Sequence, residues 1–191
     1  MSRRMAGLLA IAVLAIAGTW LLFVALPRWT RKPTSAPPAV ATPAAERKIT
    51  AILYYVSEDG MSLVGVQREV PFGETVLDQA RHILAAQIQA PAAPLASAIP
   101  PGTALRALYV TERGDAFVDL TAEAQLKHTG GALDELFTVY TIVDALTVNL
   151  PAITRVQILI EGKEVDTLSG HVDLRHPLQK NLQWIRDKDG S

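Results

Sequence analysis

Residues 49–57, ITAILYYVS, carry apolar side chains at nearly every position. A strand with one solvated face would alternate; a continuous apolar run of this length reads as a strand buried on both faces. Outward from it, Glu58-Asp59-Gly60 is a turn signal, because Gly supplies the positive φ that a tight turn needs. A second strand over 63–70 returns the chain and ends at Pro71 and Gly73. A helix over 75–89 then follows. Thr75 is placed to cap it, Asp78 lies in its first turn, and Leu77, Ala80, Leu84 and Ile88 form one apolar stripe. Pro91 and Pro94 close the unit.

The same order comes again. Residues 99–103, IPPGT, turn the chain into a strand over 104–111. Arg113-Gly114-Asp115 turns it into another over 116–120, with Phe117 and Asp119 facing away from Val118 and Leu120. Gly130-Gly131 precedes a helix over 132–150 whose stripe is Leu133, Leu136, Phe137, Tyr140, Val143, Leu146 and Leu150. Pro151 stops it. A strand over 155–160 turns at Glu161-Gly162-Lys163 into a return over 164–168, and 171–174 has the pattern of one more short strand. The order ββα-ββα-ββ predicts an α+β fold: a two-layer open mixed sheet of four to six strands with two helices on one face.

Before this domain, residues 5–26 contain no charge, and 22 residues at 1.5 Å each span roughly 33 Å, enough for the hydrocarbon core of a bilayer. The expected arrangement is a cytoplasmic stub and transmembrane signal anchor over 1–27 and a Pro/Ala-rich linker over 28–48. A domain over 49–178 and a tail over 179–191 follow. Ala15-Ile16-Ala17 fits a cleavage site, but cutting there leaves Trp20-Leu21-Leu22-Phe23-Val24 exposed at a new terminus, so the helix is read as an uncleaved anchor. Arg3 and Arg4 before it nearly balance Arg28, Arg31 and Lys32 after it. The N-terminus is placed inside because the short stub offers nothing to export. Single-pass attachment to the cell (inner) membrane with the domain in the periplasm follows. From Glu46 to Leu178 seventeen acidic residues stand against ten basic ones; this argues against nucleic acid as a partner, which a basic face would be needed to bind. The absence of cysteine excludes disulfides, thiolate catalysis and Cys-ligated zinc.

Side chains with chemistry are sparse. His171, Asp173 and His176 resemble part of a metal set, since 171 and 173 on a strand share a face, but they are read as a polar strand end. Asp119, Glu123, Asp134 and Glu135 are the candidates for a carboxylate pair of the kind glycoside hydrolysis uses, and are read as a strand end and first-turn acids of a helix. His128 has no nucleophile motif near it. Gly130-Gly131 lacks the Lys-Ser/Thr of a phosphate loop. Arg113-Gly114-Asp115 matches an adhesion tripeptide, yet a hairpin turn needs the same residues. No catalytic residue, cofactor or metal ligand is assigned.

Five phrases in order resemble the GerMN domain family: LYYVSEDGMSLV (53–64), IPPGTALRALYV (99–110), AFVDLTAE (116–123), GGALDELFTVYTIVDALT (130–147) and VQILIEGKEVDTLSGHVDL (156–174). The resemblance covers about 49–178 and implies a small α/β fold related to ring-building motifs, an envelope location, and scaffolding in sporulation, germination or cell-wall processes. It implies no catalytic set; Gly60, Pro101, Gly102, Asp119, Gly130, Gly131, Gly162, Gly170, His171 and Asp173 are its recurring positions, read as turn and packing residues. The expectation is therefore a non-enzymatic, membrane-anchored protein that binds envelope proteins or further copies of itself. The rival expectation is a cell-wall-active enzyme, or an accessory factor of peptidoglycan turnover, with Asp119, Glu123 or His171 at the chemistry.

Overall fold

A computed structural model describes Thr19, Trp20 and residues 47–186. Apart from Thr19 and Trp20, the anchor lies outside the described residues, as do its orientation and most of the linker. No helix among the described residues is long and apolar enough to cross a membrane. The chain divides into units Met1–Ala44 and Ala45–Ser191, and the second carries the fold.

Strand β1, Lys48–Val56, pairs antiparallel with β2, Leu63–Pro71, in a register running from Lys48 opposite Pro71 to Val56 opposite Leu63. Helix α1, Val76–Ile88, follows, and the Thr75 side chain accepts a hydrogen bond from the Asp78 N–H at 3.0 Å, as an N-cap does. Strands β3 (Leu105–Val110) and β4 (Asp115–Leu120) form a second hairpin. A one-turn helix α2, Glu123–Leu126, and the long helix α3, Ala132–Asn149, carry the chain over to β5, Arg155–Ile160, which lies parallel to β4. Two short strands, β6 (Lys163–Glu164) and β7 (Leu178–Gln179), both pair antiparallel with β5.

The strand pairs make two sheets, one of two strands (β1-β2) and one of five (β3-β4-β5-β6 with β7 also on β5), where the sequence pattern predicts one open sheet. The reason lies at the outer edge of β1. A further strand there would bond the outward N–H and C=O of Ile52, Tyr54 and Val56. Instead the Ile52 N–H donates to Asn149 Oδ1 at 2.8 Å and Asn149 Nδ2 donates to the Ile52 carbonyl at 2.7 Å. Gln87 does the same for Tyr54, at 2.9 and 2.7 Å, and Ala96 exchanges both main-chain bonds with Val56. Side-chain amides reproduce the donor and acceptor pair of a peptide group, so α1 and α3 dock against the edge and stand in for a strand.

Helix α3 also departs from its predicted single stripe. Phe137, Val139, Ile142, Val143, Ala145 and Leu146 are buried together with Thr138, Thr141, Asp144 and Thr147, while Leu133, Leu136, Tyr140 and Leu150 are only half-buried. A helix enclosed on more than one side loses the one-faced periodicity of a surface helix. The core it anchors includes Leu53, Tyr55, Ile83, Leu84, Leu108, Val118, Leu120 and Ile158.

The strand expected over 171–174 does not form, and the return expected over 164–168 pairs only at Lys163 and Glu164. The main-chain N–H groups of Leu168, Ser169 and His171, which a ladder would use, all point at the carboxylate of Glu135. Residues 179–186, expected as part of the tail, pack on the domain. β7 joins β5, the Asn181 N–H donates to Asp144 Oδ1 at 2.9 Å, and a single turn over Leu182–Trp184 leads to Ile185, which bridges in parallel to Leu63. This strap ties the two sheets together.

Candidate functional site

Glu135 sits in the first turn of α3 and is fully buried. Its Oε1 accepts from the N–H groups of Leu168 (2.7 Å) and Ser169 (2.9 Å); its Oε2 accepts from the His171 N–H (2.8 Å) and faces His171 Nδ1 at 3.1 Å. Burial by itself raises such a carboxyl, but these bonds outweigh it and hold Glu135 below the usual carboxylate range. The carboxylate thus has four donors and no free lone pair directed at solvent. His171 is brought to Glu135 and its ring is half exposed, in the relation by which a carboxylate orients a histidine.

His171 and Asp173 do not converge. Asp173 is held by Arg175 through Nε (2.9 Å), Nη2 (2.7 Å) and the main-chain N–H (3.0 Å), and the Arg175 bonds keep its carboxyl far below the ordinary range. Among the described residues no group of three or more His, Asp or Glu side chains is gathered where a metal ion could be held.

The other acids also have local partners. Asp119 Oδ1 accepts from the Gly162 N–H at 2.7 Å and its Oδ2 from Arg106 Nη1 at 2.9 Å. Arg106 reaches on to Glu161 at 3.6 Å, and Glu161 Oε1 accepts from the Ala122 N–H at 3.0 Å. Asp119 therefore ties the β5-β6 turn to β3. The Thr121 hydroxyl bonds Glu123 and lowers its carboxyl. Asp134 faces the Thr129 hydroxyl at 3.2 Å. These are separate contacts with different partners, and they do not assemble a carboxylate pair around a cleft.

His128 is occupied on both ring nitrogens. The Gly130 N–H donates to Nδ1 at 3.1 Å, so the ring proton of the neutral form lies on Nε2, which faces Thr138 Oγ1 at 3.2 Å. In the Arg113-Gly114-Asp115 turn, Gly114 has φ +84°, and a Cβ there would stand 2.7 Å from the Ala152 carbonyl oxygen. Asp115 Oδ1 accepts from Arg155 Nε at 2.7 Å. The tripeptide does what a close turn requires, and its carboxylate is engaged within the fold.

Asp144 escaped the sequence reading, although a lone acid inside TIVDALT is the signal that marks it. It is fully buried on α3; Oδ1 accepts from Asn181, while Oδ2 has no partner among the described residues. Burial pushes its carboxyl up to about 6, against the pull of the Asn181 N–H and the charge of Lys180. Burial, and then the nearby Asp144, push the Tyr54 phenol up to about 12.

One of several open features is a groove of about 560 Å³ on the β1-β2 hairpin, walled by Ile52, Tyr54, Gly65, Gln67, Val148, Leu182, Ile185 and Arg186. It lies beside the outer edge of β2, and the strap forms its far wall. Most of its lining is apolar.

Comparison with known proteins places this geometry. Residues 52–166 match the family described as Germane, sporulation and spore germination. A crystal structure of a Clostridium perfringens protein with a provisional lipoprotein description is similar at 26% identity and a TM-score of 0.51, over 70% of this chain and 88% of that one. The tandem GerMN domains of the Bacillus subtilis sporulation protein GerM align at 18% identity and a TM-score of 0.52, over 71% of this chain and 46% of that one, a likeness of fold. None of the curated proteins compared is significantly similar. The GerMN resemblance read from the five phrases and the family match agree across the two sheets and their helices, and the chain belongs to the Germane family of sporulation and spore germination.

Proposed function

We propose that this protein is a non-enzymatic, membrane-anchored module of the cell envelope, with its GerMN-type domain outside the cytoplasm and acting by binding other envelope proteins. The observation that carries this reading is the use made of its reactive side chains. Glu135, Asp119, His128 and Asp173 are each engaged by main-chain groups or a neighbouring side chain that holds a loop or turn, while His171 meets Glu135 through Nδ1 and leaves its ring half exposed. A general acid or nucleophile needs an atom free to meet substrate. The lipoprotein description of the Clostridium perfringens relative and the charge-free run over 5–26 support the envelope address. The family match supports a part in sporulation, germination or related wall processes.

Three measurements test the reading. A periplasm-only reporter fused after Ser191 is expected to be active, and carbonate extraction is expected to leave the full chain in the membrane fraction. Peptidoglycan turnover by the purified chain is expected to be absent; turnover that disappears in Asp119→Asn or His171→Gln would replace the binding module with an enzyme.

A further inference from the structure

In the β1-β2 ladder the hydrogen-bonded pairs alternate, and the Ser57 N–H bonded to the Ser62 carbonyl and the Phe72 N–H bonded to the Arg47 carbonyl fix the phase. The main-chain groups of Leu63, Gly65, Gln67, Glu69 and Pro71 therefore point away from β1. At the two ends these are taken. The Leu63 carbonyl accepts from the Arg186 N–H at 2.8 Å, and the Pro71 carbonyl accepts from Gln79 Nε2 at 3.1 Å and faces His82 Nδ1 at 3.0 Å. Between them, the outward N–H and C=O groups of Gly65, Gln67 and Glu69 have no partner among the described residues. The opposite edge of the hairpin is closed at Ile52, Tyr54 and Val56 by Asn149, Gln87 and Ala96.

We infer that the β2 edge from Gly65 to Glu69 is the docking site for an extended segment of a partner protein, added as a third strand with its alternate apolar side chains in the adjoining groove. This rests on the protein-binding reading above and names its surface. The edge already accepts a strand where the strap arrives: Ile185 pairs in parallel with Leu63, so an added segment continues a ladder that has begun. At Gly65 the strand lies directly against the groove wall, where a Cβ would stand 3.2 Å from Ile52 Cγ2. Five residues of edge, roughly 17 Å at strand spacing, supply the main-chain bonds, and Ile52, Tyr54 and Leu182 supply side-chain selection.

Two other occupants fit less well. A second copy pairing antiparallel about Gln67 would bring its Pro71 beside Leu63, where Ile185 and Arg186 already sit. The chain's own last residues, Asp187-Lys188-Asp189-Gly190-Ser191, contain nothing apolar to enter the groove. A separate segment meets neither obstacle.

The test uses the full chain in its own membrane, with a photo-reactive residue at Glu69 and, in a parallel strain, at Tyr109, an exposed position on β3. Crosslinked peptides are identified by mass spectrometry. The expected adduct at Glu69 is a segment of another protein with apolar residues at every second position. Gln67→Pro removes an outward N–H that the hairpin does not use and is expected to lower its yield about ten-fold, the equivalent of one main-chain hydrogen bond, whereas Gln67→Lys keeps that N–H and the yield. Leu182→Lys, which touches the groove wall and no strand, is expected to lower the yield as well and stands in if the proline variant misfolds. Adducts to this chain itself, or yields indifferent to both Gln67→Pro and Leu182→Lys, would overturn the inference. Capture at Tyr109 with silence at Glu69 would sink the edge and leave the binding reading standing; silence at both sinks the two together.

Discussion

Replacing Gln87 by leucine removes the amide that stands beside β1 in place of a strand. Gln87 is buried, and its amide serves three atoms: the Tyr54 N–H, the Tyr54 carbonyl and Thr141 Oγ1. In the leucine variant the Tyr54 carbonyl keeps the Thr141 hydroxyl, so one buried N–H is left without a partner. Such an orphan costs about 1–3 kcal/mol, and leucine of similar volume leaves little cavity to add to it. For a domain of this size, about 2 kcal/mol lowers Tm by roughly 6–8 °C. Asn149→Leu strips both outward groups of Ile52, but Ile52 is only half-buried and water can replace the amide, so about 1 kcal/mol or less is expected. The assay is urea and thermal unfolding of the soluble fragment 46–191 followed by circular dichroism. A Gln87→Leu variant as stable as the parent, or a larger loss in Asn149→Leu than in Gln87→Leu, would refute the idea that buried amides close this edge.

Three further outcomes follow from the same contacts. Asp144 has a folded-state carboxyl raised to about 6, so its contribution is most favourable below the unfolded value near 3.8 and is lost as pH rises through about 6; Asp144→Asn, which keeps an acceptor for Asn181, is expected to stabilise the fragment at pH 7.5 by at most about 3 kcal/mol and to flatten that part of the pH profile. Glu135 has the opposite sign, its lowered carboxyl contributing stability above the ordinary carboxylate range that is lost as pH falls through its depressed value. Glu135→Gln puts an amide donor against donors in the 168–171 loop, should cost about 2–4 kcal/mol, and should admit protease cleavage there first. Gly114→Ala meets both a positive φ and a carbonyl oxygen at 2.7 Å and is expected to cost about 2 kcal/mol or more, read as a shift in the urea midpoint.

Local chemistry made much of this fold legible. The Thr75 cap, the helix over 132–149 ended before Pro151, and the strand over 155–160 are where their residues predict them, because capping, proline stops and β-branched runs act within a few residues. The family, too, was readable from five short phrases. What tertiary structure alone decided is which hydrogen-bonding groups meet. Asn149 is 97 residues from the Ile52 N–H that it accepts from, Glu135 is 36 from His171, and Asp144 is 37 from Asn181. No period or motif encodes such pairs, since each depends on two elements arriving at one place. They turn an expected single sheet into two and a predicted strand into a loop, and they set the carboxylates of Glu135 and Asp119 against main-chain N–H groups of distant turns. They also leave one edge of the hairpin closed at Ile52, Tyr54 and Val56, and the other, among the described residues, unpaired from Gly65 to Glu69.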